Sequence, residues 1–102
     1  MYKILFRCGS CWAFSSTGVV EGAWQIATGN LQSLSEQDLV SCDTENDGCS
    51  GGFPFRAIDY MRRKGICSEV SYPYTSSAGE NARCQKHAKS QVNVGGTKFP
   101  LA

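Results

Sequence analysis

The chain has 102 residues and a formal charge of +1, room for one domain at most, or part of one, around a single modest core. Its 41% hydrophobic and 19% charged residues exclude a disordered tail, and no apolar run nears the ~20 residues of a helical membrane span. The near-neutral balance offers no electrostatic footprint for nucleic acid or for an anionic membrane, and neither is expected as a partner.

In chain order, Met1 to Arg7 (MYKILFR) holds only Ile4-Leu5-Phe6 as an apolar stretch. That is short of a secretory leader, so no signal peptide is expected there. Six cysteines in so short a chain point the other way, to disulfides and an oxidising compartment. Cys11 to Thr28 predicts a helix, with Val19, Val20, Ala23, Trp24 and Ala27 on one face. Gly18 and Gly22, four apart, would let another backbone come close, and Gly29-Asn30 is a stop. A second helix is expected after Ser35 as N-cap, with Asp38 at the capping-box position and Leu34 stapled to Leu39, running to about Cys42.

Cys42 to Gly52 (CDTENDGCSGG) reads as a polar, glycine-rich loop. A third helix starts near Pro54, a residue suited to a first helical position, with a stripe of Pro54, Ala57, Ile58 and Met61. Arg62, Arg63 and Lys64 suit the negative end of the dipole as a solvated helix end, and Gly65 closes it. Tyr72-Pro73-Tyr74 and Ser76 to Asn81 read as extended chain and loop, and Gln91 to Val94 as the start of a strand.

Cys8-Gly9-Ser10-Cys11-Trp12 carries the strongest chemistry. A thiolate at the start of a helix lies where backbone N–H groups and the dipole stabilise its charge. It is a good nucleophile, and the same N–H groups can receive an oxyanion. Gly9 would let a substrate backbone approach. Two rivals use the same cysteines. Cys8-x-x-Cys11 at a helix start is also a thiol–disulfide exchange arrangement, although no βαβ pattern follows. Cys8, Cys11, Cys42 and Cys49 would make a four-thiolate zinc site, although the Cys42 to Cys49 spacing is long for one. Glu21, Glu36 and Asp38 read as caps or ion-pair partners, and Trp12, Phe14 and Trp24 as core.

The wording resembles the papain-like cysteine peptidases, of the cathepsin L-like kind. Cys8-Gly9-Ser10-Cys11-Trp12 is similar to their nucleophile motif. Leu34-Ser35-Glu36-Gln37-Asp38-Leu39-Val40-Ser41-Cys42-Asp43, Gly48-Cys49-Ser50-Gly51-Gly52 and Tyr72-Pro73-Tyr74 match three further motifs in register. The resemblance implies an α+β papain-like fold, incomplete here. Residues 1–7 would be a non-family segment, 8–89 the mostly α-helical left domain with its long nucleophile helix, and 90–102 the start of the second domain.

The resemblance further implies peptide-bond hydrolysis through a thioester on Cys11. Cys8 would pair with Cys49 and Cys42 with Cys84. Gly51 and Gly52 would bind an extended peptide by backbone hydrogen bonds. Phe53 and Pro54 would wall the main specificity pocket, favouring an apolar side chain, with Gly9, Ser10 and Trp12 flanking the cleft. No metal or organic cofactor is implied. The partners would be polypeptide substrates, with a second-domain partner or an inhibitor besides, in a lysosome, a vacuole or outside the cell.

Three departures bear on activity. The family's catalytic His and Asn lie ~130–150 residues beyond the Cys, and fewer residues than that follow Cys11. Leu5 stands where the family has an oxyanion-binding Gln, a kind of donor whose loss costs roughly 100- to 1,000-fold in turnover. The residues before Cys8 differ from the family's approach. His87, the sole histidine, sits in a context unlike the family's His motif and reads as a surface residue. Cys67 is left over as a buried thiol, an intermolecular bridge or a residue whose partner is lost. The chain alone is therefore expected to be inactive. It is also expected to be poorly soluble, with an apolar face where the second domain should dock. The alternative is a non-catalytic peptide- or partner-binding fragment.

Overall fold

The computed structural model describes residues 8–76, 79–86 and the backbone of 91–92. Helix α1 (Cys11–Thr28) packs against α2 (Glu36–Cys42) and α3 (Pro54–Lys64). A 3₁₀ turn (Gly48–Ser50) interrupts the glycine-rich loop, and strand β1 (Ile66–Cys67) pairs antiparallel with β2 (Gln91–Val92), Ile66 opposite Val92. A two-residue strand is too short to leave a period in the sequence, and β1 was not anticipated. Val94, with the remainder of the expected strand, lies outside the described residues, as do Leu5 and His87.

The helices end where the punctuation predicts, at Gly29, Asp43 and Gly65. The buried face of α1 matches the predicted one in part: Val20 is fully buried, and Ala23 and Trp24 pack half-buried against the core. The buried residues of the helix are Trp12, Ala13, Ser16, Thr17 and Val20, while Val19 is 57% exposed and Ala27 is also exposed. Two hydroxyls explain the shift. Ser16 Oγ donates to the Trp12 carbonyl (2.5 Å) and Thr17 Oγ1 to Glu36 Oε2 (2.6 Å), so both side chains are buried with partners. Nor does a second backbone approach Gly18 or Gly22 among the described residues: a methyl group at either would meet nothing within 4 Å. On α3 the buried residues are Ala57, Tyr60 and Met61, whereas Pro54 is exposed.

Ser35 caps α2 as expected, accepting the Asp38 N–H at 3.0 Å. The reciprocal half of the capping box does not form, because the Ser35 N–H donates to the Cys67 carbonyl (2.8 Å). The Asp38 carboxylate is instead fully buried. Its Oδ1 accepts the Tyr60 hydroxyl (3.0 Å), and its Oδ2 accepts the Cys67 N–H (2.9 Å) and lies 3.2 Å from Lys86 Nζ. Lys86 also donates to the Tyr60 oxygen (2.9 Å) and the Gly65 carbonyl (2.7 Å). One carboxylate thus joins α2, α3, β1 and the segment carrying Lys86. Burial, with the charge of Asp38 beside it, pushes the Tyr60 hydroxyl above its ordinary range. By contrast, Arg62 and Arg63 pair with Asp59 on the surface, where such pairs contribute little.

Among the described residues Glu36 is neither a cap nor an ion-pair member. Burial raises its carboxyl from 4.5 to about 7, opposed by the Thr17 hydrogen bond and reinforced by the like charge of Glu69. Folding therefore takes up a proton between those two values. The contribution is fully present below pH 4.5 and is lost as pH rises through 7. The urea midpoint should consequently fall from pH 5 to pH 8, and the fall should be shallower in Glu36→Gln. Parallel urea titrations of the two proteins check this; equal slopes would refute it.

Two disulfides tie the loops to the helices: Cys8–Cys49 and Cys42–Cys84. Cys67 is in neither and is fully buried in the core. Tyr72, 5% exposed, clamps the region near the second bridge, with its hydroxyl accepting the Gln85 N–H (2.9 Å) and its carbonyl accepting the Ser35 hydroxyl (2.6 Å).

Candidate active site

Cys11 is the first residue of α1, and its thiol is exposed. Its neighbours build the turn that presents it. The Ser10 side chain is fully buried and does not cap the helix; its hydroxyl lies 3.0 Å from the Tyr74 hydroxyl. The Tyr74 ring stands edge-on to Phe14, with centroids 5.1 Å apart. The first backbone bonds of the helix run from Ala13 and Phe14 to the Ser10 carbonyl. The N–H groups of Cys11 and Trp12 therefore find no acceptor among the described residues. Donors left open beside an exposed thiol are what an attacked carbonyl needs as its oxygen becomes negative.

The glycine loop is held against this turn. The Gly9 N–H donates to the Cys49 carbonyl (2.7 Å), and a Cβ on Gly9 would lie 2.7 Å from that oxygen. Gly9 is thus demanded by its own chain as well as suited to the approach expected of a substrate backbone. The Trp12 side chain is 3% exposed, and its indole donates to the Gly48 carbonyl (2.9 Å). The side chains of Ser10 and Trp12 accordingly position the turn from beneath.

The two glycines beyond the turn differ. The Gly51 N–H donates to Gly48 and its carbonyl accepts from Asp47, so its backbone is engaged. Gly52 has neither its N–H nor its carbonyl in a hydrogen bond among the described residues, which leaves a short open edge. A Cβ on Gly52 would lie 2.6 Å from Asn46 Oδ1. That oxygen accepts the Phe53 N–H (2.7 Å), and the Asn46 amide donates to Asp43 (2.7 Å). Burial pushes the Asp43 carboxyl above its ordinary range. On the other flank, Asn81 Oδ1 accepts the Cys49 N–H (2.7 Å). Phe53 is 54% exposed and Pro54 is exposed beside it.

Asn46 and Asn81 were not singled out from the sequence, and Tyr74 entered only within the Tyr72-Pro73-Tyr74 motif, with no role of its own. Their polar ends satisfy groups far along the chain, and only an Asn inside a glycine-rich loop hinted at such a role. A polar hollow of about 570 Å³, lined among others by Asp43, Asn46, Asp47 and Asn81, does not include Cys11, Phe53 or Pro54.

The rival chemistries lose their ligands. Cys8 is fully buried and bonded to Cys49, so it forms no exchange pair with Cys11. Cys8 and Cys49 share one bridge and Cys42 belongs to another, so they do not supply free thiolates to a metal.

The sequence profile described as papain family cysteine protease matches residues 2–99. Zingipain-1 from Zingiber officinale is 52% identical over 86 residues, covering 83% of this chain and 38% of its own length. A cysteine proteinase of Trypanosoma brucei brucei is 49% identical over 86 residues, covering 81% of this chain and 19% of its own. Among solved structures, the Carica candamarcensis cysteine protease CMS1MS2 in complex with E-64 superposes with a TM-score of 0.77 at 42% identity. The match covers 87% of this chain and 41% of that one. The chain thus spans well under half the length of these relatives. The profile takes in nearly every residue, relatives about half identical carry it, and the helical frame superposes on theirs: the chain belongs to the papain family of cysteine proteases.

Proposed function

We propose that residues 8–89 are the nucleophile-bearing half of a peptide-hydrolysing cleft and that residues 90–102 begin the other half. The observation that carries this reading is the exposed Cys11 thiol at the start of α1, beside N–H groups that have no acceptor among the described residues. Cys11 attacks a peptide carbonyl, the amine leaves, and water hydrolyses the thioester. The open backbone of Gly52 pairs with an extended substrate, with Gly51 shaping the loop. Phe53 and Pro54 wall the pocket for an apolar side chain. Gly9, Ser10 and Trp12 hold the nucleophile turn in place.

The substrates are polypeptides, and an inhibitor such as E-64 would occupy the same cleft. Two disulfides fit an oxidising place of work, a lysosome, a vacuole or the outside of the cell. Residues 8–86 hold no histidine to take the thiol proton, and His87 stands in a context unlike the family's His motif, so the base is expected from the other half of the cleft. The 102 residues by themselves are accordingly expected to show no turnover.

The test is hydrolysis of a fluorogenic peptide, with E-64 labelling alongside, by the complete polypeptide to which these residues belong. Turnover and labelling are expected, and both should vanish in Cys11→Ala. Peptide binding without turnover would turn the reading to a binding fragment. Turnover by the 102 residues alone, abolished by Cys11→Ala, would refute the divided cleft.

A further inference from the structure

We infer that Arg56 is a specificity residue that selects an acidic side chain in the substrate segment N-terminal to the scissile bond. This rests on the reading of Phe53 as a cleft wall. Arg56 lies in the first turn of α3, just past Phe53 and Pro54. That end of a helix is the positive one, and no acidic residue stands in the turn to offset a cation. Helix electrostatics therefore gives no reason for an arginine there.

Nor does an ion pair hold it. Among the described residues, its one polar contact is from Nη1 to the Glu45 carbonyl (3.3 Å). The other two cations of α3 with assigned partners, Arg62 and Arg63, both use Asp59. Arg56 is fixed by ring contacts instead. Its guanidinium carbon lies 5.0 Å from the Phe53 centroid and 5.7 Å from that of Phe55, the two rings being 5.8 Å apart. Phe53 is 54% and Phe55 66% exposed.

The consequence is a pre-oriented, planar donor on the rim of an apolar wall, with most of its N–H groups unassigned. Carboxylates meet such a fork in two parallel hydrogen bonds. An extended peptide running from Cys11 past the open edge of Gly52 reaches Phe53 next. Its successive side chains point to opposite sides. One enters the apolar pocket, and a neighbour lies along the rim within reach of the guanidinium. Two aromatic contacts restrict the arginine beforehand, so less side-chain freedom is lost on binding.

The test is a positional scan of peptides by the complete polypeptide, comparing Glu, Gln and Lys at each position N-terminal to the scissile bond. One position should prefer Glu over Gln about three- to five-fold in kcat/KM, the size typical of exposed pairs. The effect should reside in KM, because the contact is the same in the ground and transition states. It should shrink with added salt. Arg56→Gln should erase it and Arg56→Glu should turn it toward Lys. Far-ultraviolet circular dichroism is the control that the variants remain folded. Equal rates for Glu, Gln and Lys at every position, or a Glu preference that survives Arg56→Gln, would overturn the inference while leaving the peptidase reading intact. Absence of Cys11-dependent hydrolysis would overturn both.

Discussion

Asp38→Ala is expected to lower unfolding stability by about 3–5 kcal/mol, the range for breaking a buried pair by removing one partner. The loss comes from what remains. Lys86, only 12% exposed in its side chain, keeps its charge, while the Tyr60 hydroxyl and the Cys67 N–H lose their acceptor. Asp38→Asn should cost less, since an amide oxygen still accepts one of those bonds. Replacing both charges, as in Asp38→Leu with Lys86→Met, should recover part of the loss, because the desolvation of the pair disappears along with its attraction. The full double-mutant cycle, read from urea midpoints of the complete polypeptide, tests this. A cost below about 1 kcal/mol for Asp38→Ala would place the pair with surface bridges such as Arg62–Asp59.

Removing the Cys8–Cys49 bridge, as Cys8→Ser with Cys49→Ser, should cost about 4 kcal/mol in the chain-entropy account, given its separation of 41 residues. The expected loss is large because the bridge holds two segments that share few other ties: the turn before Cys11 and the loop before Gly52. The contact of Gly9 with the Cys49 carbonyl and that of Trp12 with Gly48 would remain as single hydrogen bonds, each a modest net contributor. E-64 labelling of Cys11 should slow in parallel, as the open edge and the thiol lose their fixed spacing. An unchanged urea midpoint would show that the rest of the core holds the turn without the bridge.

The helices were legible because their ends are written locally. Ser35, Pro54, Gly29 and Gly65 act within a few residues of themselves. The inward face of α1 was read only in part: Val20, Ala23 and Trp24 meet the core, but Ser16 and Thr17 look polar until their partners at Trp12 and Glu36 are known. Asp38 fits a local cap equally well, and only the approach of Tyr60, Cys67 and Lys86 makes it a buried hub. In the site, Cys11 and the glycine loop carry their own motif. Asn46 and Asn81 do not, because each serves a backbone N–H elsewhere in the chain. Ser10 and Trp12 stand inside the motif, yet their side chains face the interior.

The Cys8–Cys49 bridge also bears on how the chain is oxidised. Cys49 has two candidate partners, Cys8 and Cys11, three positions apart in sequence. The loops they would close are almost the same length, and loop entropy grows so slowly with length that it scarcely separates them. Reactivity gives no protection either, since Cys11 is the exposed thiol of the two and Cys8 the buried one. Discrimination must come from structure already in place: the Gly9 N–H on the Cys49 carbonyl and the helical turn that begins at Cys11. Native folding of this turn therefore has to precede the final pairing, whether Cys8 is joined at the first oxidation or by later thiol–disulfide exchange. An oxidant that acts faster than α1 forms would join Cys49 to the nucleophile in a share of the molecules, leaving them with a correct cross-link count and no reactive thiol.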